Sequence, residues 1–313
     1  MGKLKVPHIV VIGSLNMDIV IEADRHPQLG ETILGSNARF IPGGKGANQA
    51  VAAARLGAKT TMIGAVGTDS FGQELLKALD DNKISRNSVK LVDGTATGIA
   101  SIFISNGDNS IVVVPGANYQ LLPDDIDRYE AIIQNADILL LQLEIPLDTV
   151  IHAAKKAKSF GKTVVLNPAP AQFLPDELLR NVDYITPNRS ELSLLTGIQA
   201  EGDELESAMT SIIQRGANNV ITTLGADGSA FLEKGKLQKA PGYKVSVVDT
   251  TGAGDSFNAG LAFSLAKQNS LVQSVSFAAK VSALAVTKFG AQAGMPSIED
   301  VELFAKNSKG EPT

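Results

Sequence analysis

The chain contains no cysteine. Disulfide bonds, cysteine-bound zinc and thiol catalysis are therefore excluded. Histidine is scarce. His8, His26 and His152 lie far apart in sequence, so a histidine metal cluster is not expected and each reads as a surface or loop residue. No apolar run approaches the length that spans a bilayer. Residues 1–7 are polar, lack the apolar core of a signal peptide and lead directly into a strand, so the cytoplasm is the expected location and no membrane partner is expected. A basic excess is missing too: 28 Lys and Arg stand against 33 Asp and Glu, a net charge of -5. That balance disfavours nucleic acid as a partner, since phosphate contacts need a basic face. There is no internal repeat, no low-complexity tract and no linker rich in Pro, Gly or Ser, so residues 1–313 are expected to form one domain. The remaining composition, 44% hydrophobic and 19% charged, is that of a globular chain with material for a large core.

Short apolar runs at 8–12, 60–64, 137–143, 163–167, 183–186 and 219–224 predict strands buried on both faces, as in a parallel sheet covered by helices. Helical patterns fall between them at 46–56, 70–79, 146–160 and 204–215, the last two ending at Gly161 and Gly216. This alternation predicts an α/β fold with a doubly wound, mostly parallel sheet flanked by helices. Residues 18–40 and 97–114 break the rhythm, reading as strand pairs with little helix, the second turning at Asn106-Gly107 and Asp108-Asn109. They predict a small antiparallel β-sheet, which pattern alone reads equally as a lid over a site or as a decorated edge. Residues 245–249 predict a further strand, followed by two alanine-rich helices at about 255–267 and 271–289, while 307–313 read as a frayed end.

Three glycine-rich junctions carry candidate chemistry. In Asp249-Thr250-Thr251-Gly252-Ala253-Gly254-Asp255 a strand delivers the chain to a small-residue turn that starts a helix. Glycines let the backbone approach a ligand, the free amides of a helix N-terminus attract anions, and Asp255 falls in the first turn beside them. Phosphoryl transfer needs that pair: amides on the migrating phosphate and a carboxylate for the hydroxyl proton. The second junction, Gly43-Gly44-Lys45-Gly46-Ala47-Asn48, lacks the spacing of a P-loop, but its glycines would let the backbone approach a sugar, with Lys45 and Asn48 as donors. The third, Gly13-Ser14-Leu15-Asn16-Met17-Asp18, follows the first strand, where ligands of open parallel sheets sit, and Asn16 and Asp18 could bond vicinal hydroxyls. Each junction has a plainer reading by itself: Asp255 as a helix-end charge, the paired glycines as a tight turn, and Asn16 and Asp18 as an Asx-type turn.

The three motifs occur in the order seen in the PfkB carbohydrate kinase family, which the sequence resembles over nearly its whole length. The run Gly43–Ala50 resembles that family's first signature and 249–255 its second. Gly13-Ser14-Leu15-Asn16-Met17-Asp18, Asn167-Pro168-Ala169-Pro170 and Gly290-Ala291-Gln292 are most similar to its ribose-phosphorylating members. The resemblance implies an enzyme that transfers the γ-phosphate of ATP to the 5-hydroxyl of ribose, with magnesium and potassium as cofactors and a homodimer formed through the β lid. It implies that Asn16, Asp18, Gly44, Lys45, Asn48 and Glu144 bind the sugar, Asp255 is the base, and Gly252, Ala253 and Gly254 form the anion hole. It implies that Asn188 and Glu191 serve the phosphates and magnesium, and that Thr223, Gly225, Ala226, Asp227 and Gly228 form the nucleotide loop. It implies a monovalent-cation site of Asp249, Thr251, Ala285, Lys288, Gly290 and Gly294. Without it, Asn188 and Glu191 read as a capping box, Glu144 as a solvated strand end and Asp249 as a turn cap. The sequence departs from the pattern at Ala279, where a polar side chain near the adenine is common, and at Gly294, where serine is common. A fructokinase, a nucleoside kinase, a Rossmann-type dinucleotide enzyme and a non-catalytic sugar-binding module are the rival expectations; no Gly-x-Gly-x-x-Gly follows the first strand to favour the third.

Overall fold

A computed structural model describes residues 5–105, 108–233 and 235–307. In chain order its strands are β1 (His8–Ile12), β2 (Asn16–Glu22), β3 (Asn37–Gly43), β4 (Lys59–Gly67), β5 (Ser85–Val92), β6 (Gly98–Ser105), β7 (Asp108–Val114), β8 (Ile138–Leu141), β9 (Thr163–Leu166), β10 (Tyr184–Ile185), β11 (Asn219–Thr223), β12 (Ser229–Glu233) and β13 (Lys236–Ala240). Its α-helices are α1 (Lys45–Arg55), α2 (Ser70–Asp81), α3 (Pro123–Arg128), α4 (Glu130–Gln134), α5 (Leu147–Ser159), α6 (Asp176–Leu179), α7 (Arg189–Thr196), α8 (Glu204–Gln214), α9 (Ala253–Ala266), α10 (Leu271–Ala285), α11 (Ala291–Gly294) and α12 (Ile298–Asn307).

The main sheet has nine strands in the order β13-β12-β11-β10-β9-β8-β1-β4-β5. The seven from β11 to β5 run parallel, and β12 and β13 add an antiparallel edge. Successive side chains of a strand point to opposite faces, and the core divides accordingly. Val10, Ile12, Leu139 and Leu141 pack under α5 and α8, while Ile9, Val11, Ile138 and Leu140 pack under α1, α9 and α10. Helices thus cover both faces, which is why these strands read as continuous apolar runs. The main sheet matches the doubly wound expectation.

β1 lies inside the sheet. The chain runs from it one way to β4 and β5, and the other way to β8 and onward. A crevice opens where the winding reverses, at the carboxyl ends of the strands. Above that crevice stands the second sheet, ordered β3-β2-β6-β7. The two hairpins of 18–40 and 97–114 are antiparallel within themselves, and β2 joins β6 in parallel. In the second hairpin Asp108 and Asn109 pair with Ser105 and Ile104 as ladder residues rather than turn residues, and the Asn106-Gly107 turn lies outside the described residues.

Two further expectations change. Residues 245–249 form no strand. Val247 and Val248 are largely exposed, and the amides of Val248 and Asp249 both donate to the Val286 carbonyl, so the segment is tied to the end of a helix instead of to a ladder. The helix predicted at 271–289 accordingly ends at Ala285, one residue before that shared carbonyl.

Candidate active site

The carboxyl ends of β1 and β8 are neighbours, so Ser14 and Glu144 meet although they lie 130 residues apart: Ser14 Oγ donates 2.5 Å to Glu144 Oε2. The same oxygen accepts from the Lys45 amide at 3.2 Å and from Asn16 Nδ2 at 3.4 Å. Asn16 is held from behind by Asn118, whose Nδ2 donates 2.8 Å to Asn16 Oδ1. Gly44 caps α1 with φ +89°, a conformation that disfavours any side chain, and a Cβ there would also lie 2.6 Å from the Asn16 amide. A Cβ at position 43 would collide with the Asp18 carboxylate. The paired glycines were expected to bring backbone to a sugar; in the structure they first make room for Asn16 and Asp18.

These residues line a cavity of about 480 Å³ that is floored by Asn16, Asp18, Lys45, Asn48, Glu144 and Asp255 and roofed by Ile102, Ile111 and Val113 of the small sheet. The roof is apolar and the floor polar, the division expected of a pocket that seats a polyhydroxylated ligand. Asp255 is 7% exposed at the third position of α9. Asn48 Nδ2 and Gln49 Nε2 each donate 3.0 Å to one of its oxygens. Burial nevertheless pushes its carboxyl above the usual range, against the opposing pull of Lys45, Gln49 and Asn48. Asp18 is pushed up to about 7, chiefly by burial and then by the charges of Glu144 and Asp255. Burial works to lower Lys45, but Asp255, Glu144, Glu191 and Asp18 together raise it, so it stands as a firm cation among four carboxylates.

The small-residue turn starts α9 as the pattern predicts, but no strand delivers the chain to it. Gly252 caps the helix at φ +79°. The Ala253 amide donates 3.2 Å to the Thr250 carbonyl, whereas the amides of Gly254 and Asp255 meet no acceptor among the described residues. Nothing lies within 4 Å of where a Gly254 side chain would begin. Two open donors at a long helix's N-terminus, with free space above them and a buried carboxylate beside them, can hold an anion next to a base.

Asn188 and Glu191 form a reciprocal capping box at the start of α7, with the Glu191 amide donating 2.8 Å to Asn188 Oδ1 and the Asn188 amide 2.9 Å to Glu191 Oε2. Asn188 also bridges to Thr223 at the end of β11. The segment 225–228 follows directly, and Asp227 accepts 2.8 Å from Arg189 Nη2. No group of three or more metal-ligating His, Asp or Glu side chains occurs among the described residues. A divalent ion here would have to take most of its ligands from phosphates and water, which suits magnesium. Asp249 ties two loops together: Oδ1 accepts from the Thr251 amide and hydroxyl at 2.9 and 2.6 Å, and Oδ2 from the Gly290 amide at 2.9 Å. Burial opposes these bonds, yet they hold its carboxyl below the usual range. A Cβ on Gly294 would lie 2.5 Å from the Ala285 carbonyl and 3.5 Å from that of Lys288. The six residues of the expected cation site thus lie in two neighbouring loops, Asp249 and Thr251 in one and Ala285, Lys288, Gly290 and Gly294 in the other, joined by the bond from the Gly290 amide to Asp249. Ala279 is buried on α10.

Comparison with known proteins decides the family. The description pfkB family carbohydrate kinase matches residues 6–298. The chain belongs to that family. It is thus an ATP-dependent carbohydrate kinase, and the dinucleotide expectation falls away. The ribokinase of Lactococcus lactis subsp. lactis is 42% identical over 95% of this chain and 97% of that protein. A deoxyribokinase of Salmonella typhi is 37% identical over 93% and 96% of the two. Among solved structures, Arabidopsis thaliana ribokinase complexed with ribose and ATP superposes with a TM-score of 0.89 at 36% identity, covering 96% of this chain and 99% of the other.

Five polar residues of this site were not singled out from the sequence. Ser14, Gln49, Asn118, Gln142 and Asn167 are all buried, and they hold the residues that line the cavity. Ser14, Gln49 and Asn167 lie within the motifs quoted above without having been given a role, and the signal for Gln142 was a polar side chain after the apolar run Leu139-Leu140-Leu141.

Proposed function

We propose that this kinase phosphorylates D-ribose on its 5-hydroxyl, giving D-ribose 5-phosphate and ADP. The observation that carries the reading is Asp255, a buried, pinned carboxylate between the sugar-sized cavity and the open amides of α9. Asn16, Asp18 and Glu144 present acceptors and donors to the sugar hydroxyls, with Lys45 and Asn48 beside them and Gly44 leaving the approach clear. The 5-hydroxyl gives its proton to Asp255 while its oxygen attacks the γ-phosphorus in line. The open amides of Gly254 and Asp255, set by the Gly252-Ala253-Gly254 turn, receive the charge that spreads over the phosphoryl oxygens, the Ala253 amide being held by the Thr250 carbonyl. The nucleotide lies along Asn188, Glu191, Thr223 and the 225–228 segment. Magnesium would supply charge neutralisation at the phosphates, with Glu191 and Asn188 as the residues that would help to hold it. Potassium would be held between the two loops that carry Asp249, Thr251, Ala285, Lys288, Gly290 and Gly294, since a carboxylate and carbonyls suit a hard cation and a carboxylate that accepts three bonds keeps a free lone pair.

In this reading residues 1–313 act as one domain whose small sheet is a lid, and two copies join through it. Support for the pairing is β7, an edge strand on which Ile111, Val112, Val113 and Val114 are each at least 41% exposed; such an edge invites pairing. In this reading the enzyme works in the cytoplasm, where ATP is available. No helix among the described residues is long and apolar enough to cross a membrane.

The test is ADP release with purified protein, magnesium-ATP and a panel of ribose, 2-deoxyribose, fructose and nucleosides. Ribose should give the highest kcat/KM; a better rate with 2-deoxyribose would support the second reading, which the Salmonella relative motivates. Asp255→Asn should lower turnover at least about 100-fold, the usual worth of a general base, with ATP binding retained. Near-normal turnover of that variant would remove Asp255 from the role.

A further inference from the structure

Gln49 is wholly buried in α1, one residue after Asn48. Most buried amides find partners for both of their ends, and Gln49 does so, whereas Gln142 leaves its Oε1 without one among the described residues. Gln49 Nε2 donates 3.0 Å to Asp255 Oδ1 and 3.1 Å to Asn167 Oδ1. Its Oε1 accepts 2.5 Å from Gln142 Nε2. The two ends are not interchangeable, because turning Oε1 toward Asp255 would set one acceptor against a carboxylate. Gln142 sits at the end of β8, and its donation to Oε1 holds the Gln49 amide in the orientation that serves the base. Gly13 keeps that lock in place, since a Cβ there would collide with Gln142 Oε1.

We propose that Gln49 is a positioning residue for phosphoryl transfer: oriented by Gln142, it holds Oδ1 of Asp255 while Asn48 holds Oδ2, fixing the plane of the base. The inference rests on the reading of Asp255 as that base. A carboxylate has about four lone-pair sites, and two amide donors from neighbouring residues of one helix use two of them. The carboxylate is left with one orientation and with acceptor capacity toward the cavity, which Asp255 lines. Donation from Gln49 also favours the ionised form that can take a proton. The charged groups that face Asp255 are Lys45 from α1, Asp18 from β2, Glu144 after β8 and Glu191 from α7, so Gln49 and Asn48 are its neutral donors among them.

The test replaces Gln49 by methionine, which keeps length and removes the donor. Steady-state ADP release is measured with ribose and magnesium-ATP from pH 5.5 to 9, with circular dichroism and melting as checks of the fold. The expected result is a fall in kcat of about 10- to 100-fold, with both KM values within about threefold. The acidic limb of the kcat profile should also move to higher pH by about half a unit to one unit. A merely structural role would not move that limb. A folded Gln49→Met protein with unchanged kcat, or with an unmoved acidic limb, overturns the proposal. Should Gln49→Met fail to fold, Gln142→Met releases only the lock and should move the limb in the same direction by less; an unmoved limb there overturns the proposal as well. Asp255→Asn, run in parallel, separates the two readings. If it retains turnover, the base assignment fails; if it loses turnover while Gln49→Met does not, only the positioning role fails.

Discussion

Replacing Asp18 by asparagine should make the protein more stable at alkaline pH while weakening its hold on ribose. The Asp18 carboxyl stands at about 7 in the folded chain against 3.8 for the free group. Burial is the largest cause, and the charges of Glu144 and Asp255 add to it. The folded form therefore holds this proton more tightly than the unfolded form. By linkage, the contribution of Asp18 to stability is fully present below pH ~4 and is lost as pH rises through about 7. A difference of about three units at about 1.4 kcal/mol each sets an upper bound of roughly 4 kcal/mol, and relaxation and water in the cavity should leave at least about 1 kcal/mol of it. Asparagine is neutral throughout and carries no such penalty. The stability of the variant relative to the parent should climb by up to about 1.4 kcal/mol per pH unit between pH 5 and 7 and level off above about pH 8.

Urea unfolding at several pH values measures this. The chain has no tryptophan, so far-ultraviolet circular dichroism is the probe. Asp255 titrates in both proteins, and the difference between them isolates Asp18 with its coupling to that neighbour. A fixed offset would report only how well asparagine packs, so the slope is the diagnostic, and parallel curves across this range would refute the argument. The same linkage predicts that ribose binding releases a proton below pH ~7, because hydroxyls donating to Asp18 favour its ionised form. Calorimetry at pH 6.5 in two buffers of different ionisation enthalpy reads that proton directly; equal heats would count against Asp18 as a hydroxyl acceptor.

Two more outcomes are expected. Potassium chloride should raise turnover above that in tetramethylammonium chloride at equal ionic strength, and Asp249→Ala should abolish the difference while the fold persists; equal rates in the parent protein would remove the cation site. Val112→Lys on the exposed edge strand β7 should convert a dimer into a monomer by light scattering at micromolar protein, and a monomeric, fully active parent protein would end the case for pairing through the lid.

Legibility in the sequence followed burial for most of the main sheet, with the exception of β12, which is buried over residues 229–232 and was not expected. β1, β8, β9 and β11 lie inside the main sheet, are almost wholly buried, and were read from their apolar runs. β5 and β13 form the two edges, with mixed burial and residues such as Arg86, Lys90, Lys236 and Lys239, and they left no such signal. The opposite error came at 245–249, where a valine-rich stretch looked like a strand but met a helix end rather than another strand. Local pattern reports which faces are buried; it does not report whether a ladder partner exists.

The site shows the same division at finer scale. Glycine-rich junctions were visible because they fix backbone shape over several adjacent residues. What they accomplish was not, since it depends on residues brought from elsewhere: Gly43 and Gly44 accommodate Asp18 and Asn16 across the β2–β3 ladder. Asn188 and Glu191 illustrate why one reading need not exclude the other. They form the capping box that spacing alone suggests, and burial raises Glu191 against the pull of Lys45 and of its capping bond, which puts its charge in reach of the reaction centre. Asn48 and Gln49 lie in the Gly43–Ala50 run, but the pairing of Gln49 with Gln142 left no trace in the pattern, because the two stand 93 positions apart and meet only when β8 is laid beside β1. Strand order is a global property. Once it is known, the reversal of winding beside β1 predicts that the residues following β1 and β8 must converge, and Ser14 with Glu144 do so.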